Sequence, residues 1–139
     1  MPKMSKSAAN AALDALTALV NAGGAGTITV HSGPQPSEPA VPDSGTLLAT
    51  LGLAPDAFGT ASNSGSAARS IANTITGPSG GAIAAGVPGY YRVRNFGGDV
   101  VFQGSAGGAT SGSELSFSLS PFTVGGVVAV SSFTIYLSE

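Results

Sequence analysis

The first apolar pattern along the chain is helical. In SAANAALDALTALVNAGG, beginning at Ser7, the side chains of Ala9, Leu13, Leu16 and Val20 recur at helical spacing, with Asn10, Asp14 and Thr17 between them. The spacing predicts one amphipathic helix over about residues 7–22. Ser5 or Ser7 offers an N-cap oxygen, and Gly23-Gly24 supplies the left-handed residue that commonly ends a helix. A helix of about 15 residues with so narrow an apolar stripe is marginal in water by itself. It therefore has to dock, either on the body of its own chain or on a neighbouring subunit.

After Gly26 the period falls to two, and residues 27–137 read as short strands punctuated by Gly, Pro, Ser and Asn. Thr27 to His31 alternates cleanly. The following stretch, Ser32 to Pro39, carries Pro34, Pro36 and Pro39, which remove ladder donors and predict an extended loop. Further runs span Leu47 to Leu53, Arg69 to Thr76, and Tyr90 to Phe96, the last turned by Gly97-Gly98-Asp99 into Val100 to Gln103 as a hairpin. Glu114 to Ser120 alternates most regularly, with Leu115, Phe117 and Leu119 assigned to a buried face and the serines to water. The final run, Val127 to Leu137, predicts a strand covered on both sides or one bulged near Ser131-Ser132. The Ser/Gly/Ala-rich segments 60–68 and 104–112 read as mobile loops. About seven closely spaced strands after one helix predict a single, mainly β domain, a small antiparallel β-sandwich or barrel-like fold.

Composition sharpens this picture. The chain has 139 residues, 42% of them hydrophobic, so it is long enough for one cored domain and too apolar for a disordered chain. Five Lys/Arg and seven Asp/Glu make only 9% charged residues, against about 25% in ordinary soluble domains. A net charge of −2 without a basic cluster argues against nucleic acid as a partner. Without cysteine there is no disulfide, thiolate nucleophile or Cys-ligated metal. No run approaches the length of a membrane span, and Asn10 and Asp14 interrupt what a signal peptide would need as an apolar core.

Catalytic chemistry finds little support. The one histidine, His31, lies beside the Pro-rich segment with no ligand or triad spacing around it, which favours a structural role. The serines lack a nucleophile-elbow motif. Asp14, Glu38, Asp43, Asp56, Asp99, Glu114 and Glu139 are scattered singly, so neither a carboxylate pair nor a metal site is suggested, and no cofactor motif occurs. One constellation stands out: Tyr90, Arg92 and Arg94 alternate on one face of a strand, with Tyr91 and Val93 on the other. Arg and Tyr are enriched at interface centres and also bind sugars and carboxylates. The alternative is an exposed strand face on which Arg stems cover Tyr rings. Together with Pro34, Pro36 and Pro39, these three residues are the candidate interface.

The order of segments AANAALDALTALVNAGG, GTITVHSGPQPSEP, GTLLATLGL, GYYRVRNFGGDVVFQGSAG and SELSFSLSPFTVGGVVAVSSFTIYL resembles small virion structural proteins of tailed bacteriophages over nearly the full chain. Gly97-Gly98-Asp99 departs from the simpler Asp-Gly turn of that pattern. The resemblance implies a non-enzymatic decoration (cement) protein on the outer surface of the phage head, made in the host cytoplasm. It further implies the major capsid protein or other virion proteins as partners and a homo-oligomer, a trimer at local three-fold axes, as the unit. In that picture the helix or the segment Ser32 to Pro42 reaches across to neighbours. The alternatives are a tail or head–tail component and a carbohydrate-binding or adhesion β-sandwich module.

Overall fold

The computed structural model describes residues 3–65, 67–109 and 111–138. It is mainly β, as the periodicity predicts: one N-terminal helix, α1 (Lys6–Val20), followed by nine strands among the described residues. These are β1 (Thr27–Ser32), β2 (Leu47–Leu53), β3 (Ser62–Ser64), β4 (Ala67–Ile71), β5 (Ile75–Thr76), β6 (Pro88–Arg94), β7 (Val100–Gly108), β8 (Leu115–Phe117) and β9 (Val130–Ser138). They form one sheet in the order β3-β4-β9-β8-β7-β6-β1-β2-β5, curled into a half-barrel. The architecture is thus the barrel-like form, and every pairing is antiparallel except β7 with β8.

That exception corrects one sequence expectation. The Gly/Ser/Ala stretch 104–112 is not a free loop, because β7 continues through it to Gly108 and the chain then doubles back over β7 to lay β8 parallel beside it. So short a crossover is unusual for parallel strands, which ordinarily need about a dozen residues. Gly107 permits it: a Cβ there would lie 2.6 Å from Ser111 Oγ and 2.9 Å from Ser113 Oγ, where the returning chain crosses. Gly104 makes a second close fit, since a Cβ would stand 2.6 Å from the Tyr91 hydroxyl and against the Glu114 carboxylate. Gly104→Ala is expected to destabilise the fold by about 2 kcal/mol in urea titration, as overpacking against an ordered side-chain pair does. An unchanged midpoint would show that Tyr91 and Glu114 move aside freely.

Segment 60–68 likewise contains β3 and the start of β4, so it is an edge hairpin rather than a loop. The run from Arg69 to Thr76 divides: β4 pairs with β9, and β5 peels away to pair with β2. The regular alternation at Glu114 to Ser120 is also realised differently. β8 lies between β7 and β9 and is covered on both sides, so Leu115, Ser116 and Phe117 are all buried, while Leu119 lies beyond the strand end and is exposed. Of the two alternatives for the final run, the bulge near Ser131-Ser132 is the one present, with Ser132 opposite Ser116 and Val130 opposite Phe117, leaving Ser131 out of register.

α1 docks on its own chain, against β3, β4, β7 and β9. Its N-cap is Ser5, whose hydroxyl oxygen accepts from Ala8 N at 3.2 Å. The buried stripe is Ala9, Leu13, Thr17 and Val20, so Thr17 belongs to the packed face rather than the polar one, its hydroxyl donating to the Asp14 carbonyl at 3.0 Å. Two polar side chains tie the helix to the sheet edge: Ala61 N donates to Asp14 Oδ1 at 2.8 Å and Ala57 N to Asn21 Oδ1 at 3.0 Å. Beneath the helix, the core is centred on Phe133, which packs edge-on against Tyr91 (4.9 Å between centroids) and Phe58 (5.4 Å).

Candidate interaction surface

β6 carries alternate residues to opposite faces of the sheet, as its sequence predicts. Tyr91 and Val93 enter the core. Tyr91 donates its hydroxyl to Glu114 Oε1 at 3.1 Å, and burial, reinforced by the Glu114 charge and that hydrogen bond, pushes its pKa upward, so the phenol stays protonated. Tyr90, Arg92 and Arg94 occupy the outer face. That face is covered by the chain itself, because the Pro-rich segment folds back over it as a strap.

The strap leaves β1 at Gly33 and returns to β2 after Gly45. Its ends are cross-tied, with Ser32 N donating to the Thr46 carbonyl and Thr46 N to Ser32 Oγ, both at 3.0 Å. Gly45 has φ +69°, and a Cβ there would collide with the Ser32 carbonyl, so this closure depends on glycine. Between the ends, each outward residue of β6 holds the strap. The Tyr90 hydroxyl donates to the Ser44 carbonyl at 2.6 Å and accepts from Ser44 N at 2.9 Å. Arg92 donates from Nη1 to Asp43 Oδ1 (2.9 Å), from Nε to Gln103 Oε1 (3.1 Å) and from Nη2 to the Glu38 carbonyl (3.4 Å). Arg94 Nη2 reaches both Asp43 oxygens at 2.8 Å, and Gln103 on β7 donates to the Pro36 carbonyl at 2.7 Å. His31 of β1 stacks on Tyr90, ring centroids 4.8 Å apart and nearly parallel at 6°.

The residues singled out from sequence are therefore brought together, but not as an open surface. Tyr90 is 0% and Arg92 2% exposed, so neither the interface reading nor the exposed-strand reading holds for them: their partners are the strap's own Ser44, Asp43 and Glu38. Arg94 retains 21% side-chain exposure. Pro36 is buried on the inner side of the strap, whereas Pro34 and Pro39 are exposed on it. The segment Ser32 to Pro42 is engaged with its own sheet on its inner side, while residues 37–42 stay exposed on its outer side. Asp43, Ser44 and Gln103 are the partners that sequence reasoning missed. Asp43 stands singly among the scattered acids of the sequence, and nothing local announces that its carboxylate meets two arginines about fifty positions later.

His31 has the structural role that its isolation suggests, with Nε2 3.1 Å from Thr29 Oγ1. Its pKa lies below the ordinary 6.5, chiefly through burial; Asp43 opposes this, and Arg94 and Arg92 add to it. The folded state thus binds its proton less readily than the unfolded chain. Stability is full above pH 6.5 and declines as pH falls through that value toward the lower, folded pKa. With one histidine in the chain, the loss between pH 7.5 and pH 5 is expected to shrink in His31→Phe, which keeps the stack. Urea midpoints at the two pH values would measure it, and an equal loss in both proteins would refute it.

Among the described residues no group of three or more His, Asp or Glu is placed to hold a metal ion, and no helix is long and apolar enough to cross a membrane. A concavity of about 520 Å³ is an open groove beside β5 and β9, lined by Leu51, Ile71, Ile75, Val128, Val130 and Phe133 among others. It contains no titratable side chain. Comparison with protein-family models, curated proteins and solved structures finds no match to this chain.

Proposed function

We propose that the chain is a non-enzymatic structural protein of a phage particle, a decoration protein that binds the assembled head, works as a homo-oligomer and stabilises the shell. The observation that carries this reading is the surface. Among the described residues, ten large apolar side chains stand at least 36% exposed on a protein with only 9% charged residues. Such a surface resists association poorly and suits a subunit covered by an assembly. The strap supports the same reading, since a loop tied down by five side chains is pre-organised for repeated docking. A protein that binds only the assembled shell stabilises it by mass action, multiplied over many symmetric copies.

A glycan-binding module has weaker support. The Tyr90 and Arg92 platform that a sugar would use lies under the strap, and the other readily exposed aromatics, Phe96 and Tyr136, belong to a turn and to a different strand. A tail or head–tail component remains the nearer rival. Peptide mass spectrometry of gradient-purified particles, with heads and tails separated, tests the proposal. The protein is expected with the heads at a copy number comparable to that of the major capsid protein. A few copies with the tails would support the tail role, and absence from the particle would overturn both.

A further inference from the structure

Five of the ten exposed large apolar side chains, Ile83, Val87, Leu119, Val124 and Val127, come from just two segments, residues 77–87 and 119–128. These segments run side by side. Ala82 N donates to the Gly126 carbonyl at 3.0 Å and Gly125 N to the Ala82 carbonyl at 2.7 Å, while Gly86 and Phe122 exchange both backbone hydrogen bonds at 3.1 and 2.7 Å. The pairing keeps the backbone polar groups occupied, which leaves apolar side chains at 57–71% exposure as the distinguishing feature of this end of the molecule.

Its electrostatics are equally one-sided. No Asp, Glu, Lys, Arg or His occurs between Arg69 and Arg92 or between Glu114 and Glu139. A charged partner would lose hydration here without finding a counter-charge, whereas a copy of the same surface meets it with no desolvated charge on either side. Area favours the same occupant. The five side chains present on the order of 500 Å² of apolar surface, at the upper end for a lone monomer, and two facing copies cover about 1,000 Å², the lower bound for a specific interface.

We infer that the paired loops bearing Ile83, Val87, Leu119, Val124 and Val127 are the surface through which copies of this chain associate with one another. This deepens the homo-oligomer part of the reading above and does not depend on the capsid part. The contact is an apolar one with little salt dependence, unlike an association steered by charge.

Sedimentation velocity and light scattering on the full chain across a concentration series test it. The wild type is expected to be oligomeric, and Val124→Asp/Val127→Asp to associate at least 100-fold more weakly with an unchanged circular dichroism spectrum. Leu19→Asp, on the exposed side of α1, is expected to associate like the wild type. A wild type that stays monomeric at millimolar concentration overturns the inference. So does an unchanged oligomer in the Asp pair, or equal dissociation in Leu19→Asp. If the Asp pair does not fold, Val124→Thr/Val127→Thr serves instead: weaker association supports the surface, and unchanged association overturns it. A monomer that still accompanies phage heads would refute this surface and leave the decoration role standing, while an oligomer absent from particles would do the reverse.

Discussion

Asp43→Ala is expected to release the strap and to cost about 2 kcal/mol of stability: Asp43 is itself 43% exposed, so water screens part of the interaction, but its loss leaves the enclosed Arg92 without a counter-charge. The carboxylate serves two cations at once, Arg92 at 2.9 Å and Arg94 at 2.8 Å, and Arg92 is almost wholly enclosed. Without Asp43, Arg92 keeps Gln103 Oε1 and the Glu38 carbonyl but loses the one counter-charge it has among the described residues, and it sits beside a second guanidinium that has lost the same partner. The cheapest relief is to lift the strap and hydrate both arginines. Hydrogen exchange should therefore accelerate at the strap's tied amides, Ser44 and Thr46, well before the core opens. Adding Arg92→Met to Asp43→Ala should recover part of the loss, because an apolar side chain needs no counter-charge, and such non-additivity is the signature of a coupled pair. An Asp43→Ala protein within 0.5 kcal/mol of the wild type, with unchanged exchange at Ser44, would show that the ion pair does not hold the strap.

Phe133→Ala should have the larger effect, about 4 kcal/mol, as expected for deleting a buried aromatic whose surroundings cannot collapse into the space. Phe133 is 3% exposed, joins the rings of Tyr91 and Phe58, and lies on β9, the strand that contacts both β4 and β8. Its loss therefore opens a cavity between sheet and helix-facing core that no single neighbour can fill. Tyr136→Ala, three residues along the same strand and 56% exposed, is the control and should change stability by less than about 0.5 kcal/mol. Chemical denaturation of the two variants measures the contrast. Similar losses in both would mean that β9 contributes through strand propensity rather than through the aromatic core.

The local pattern carried much of the fold. Helix α1 with its Ser5 cap, β1, β2, the β6–β7 hairpin at Gly97-Gly98-Asp99 and the bulge at Ser131 all lie where residue periodicity and turn chemistry place them, because each depends on neighbours within a few positions. The errors share a cause. Segments 104–112 and 60–68 read as loops because glycine and serine have weak strand propensity, yet Gly104 and Gly107 are in a strand because neighbouring atoms occupy the space of a side chain. Ser116 reads as solvated because its own strand alternates, yet a central strand has two covered faces.

The candidate site divides in the same way. Sequence alone determined that Tyr90, Arg92 and Arg94 share one face and that Ser32 to Pro39 is extended and non-ladder, since strand alternation and proline's missing N–H are local properties. It also determined that the surface would be nearly devoid of charge. Only the tertiary structure decided that the extended segment folds onto that face, that Asp43 meets Arg92 and Arg94, and that two distant loops bring Ile83, Val87, Leu119, Val124 and Val127 to one end of the molecule. These are pairings between residues about 35 to 50 positions apart, chosen by which arrangement pairs buried charge and fills the core, and no local pattern encodes that choice.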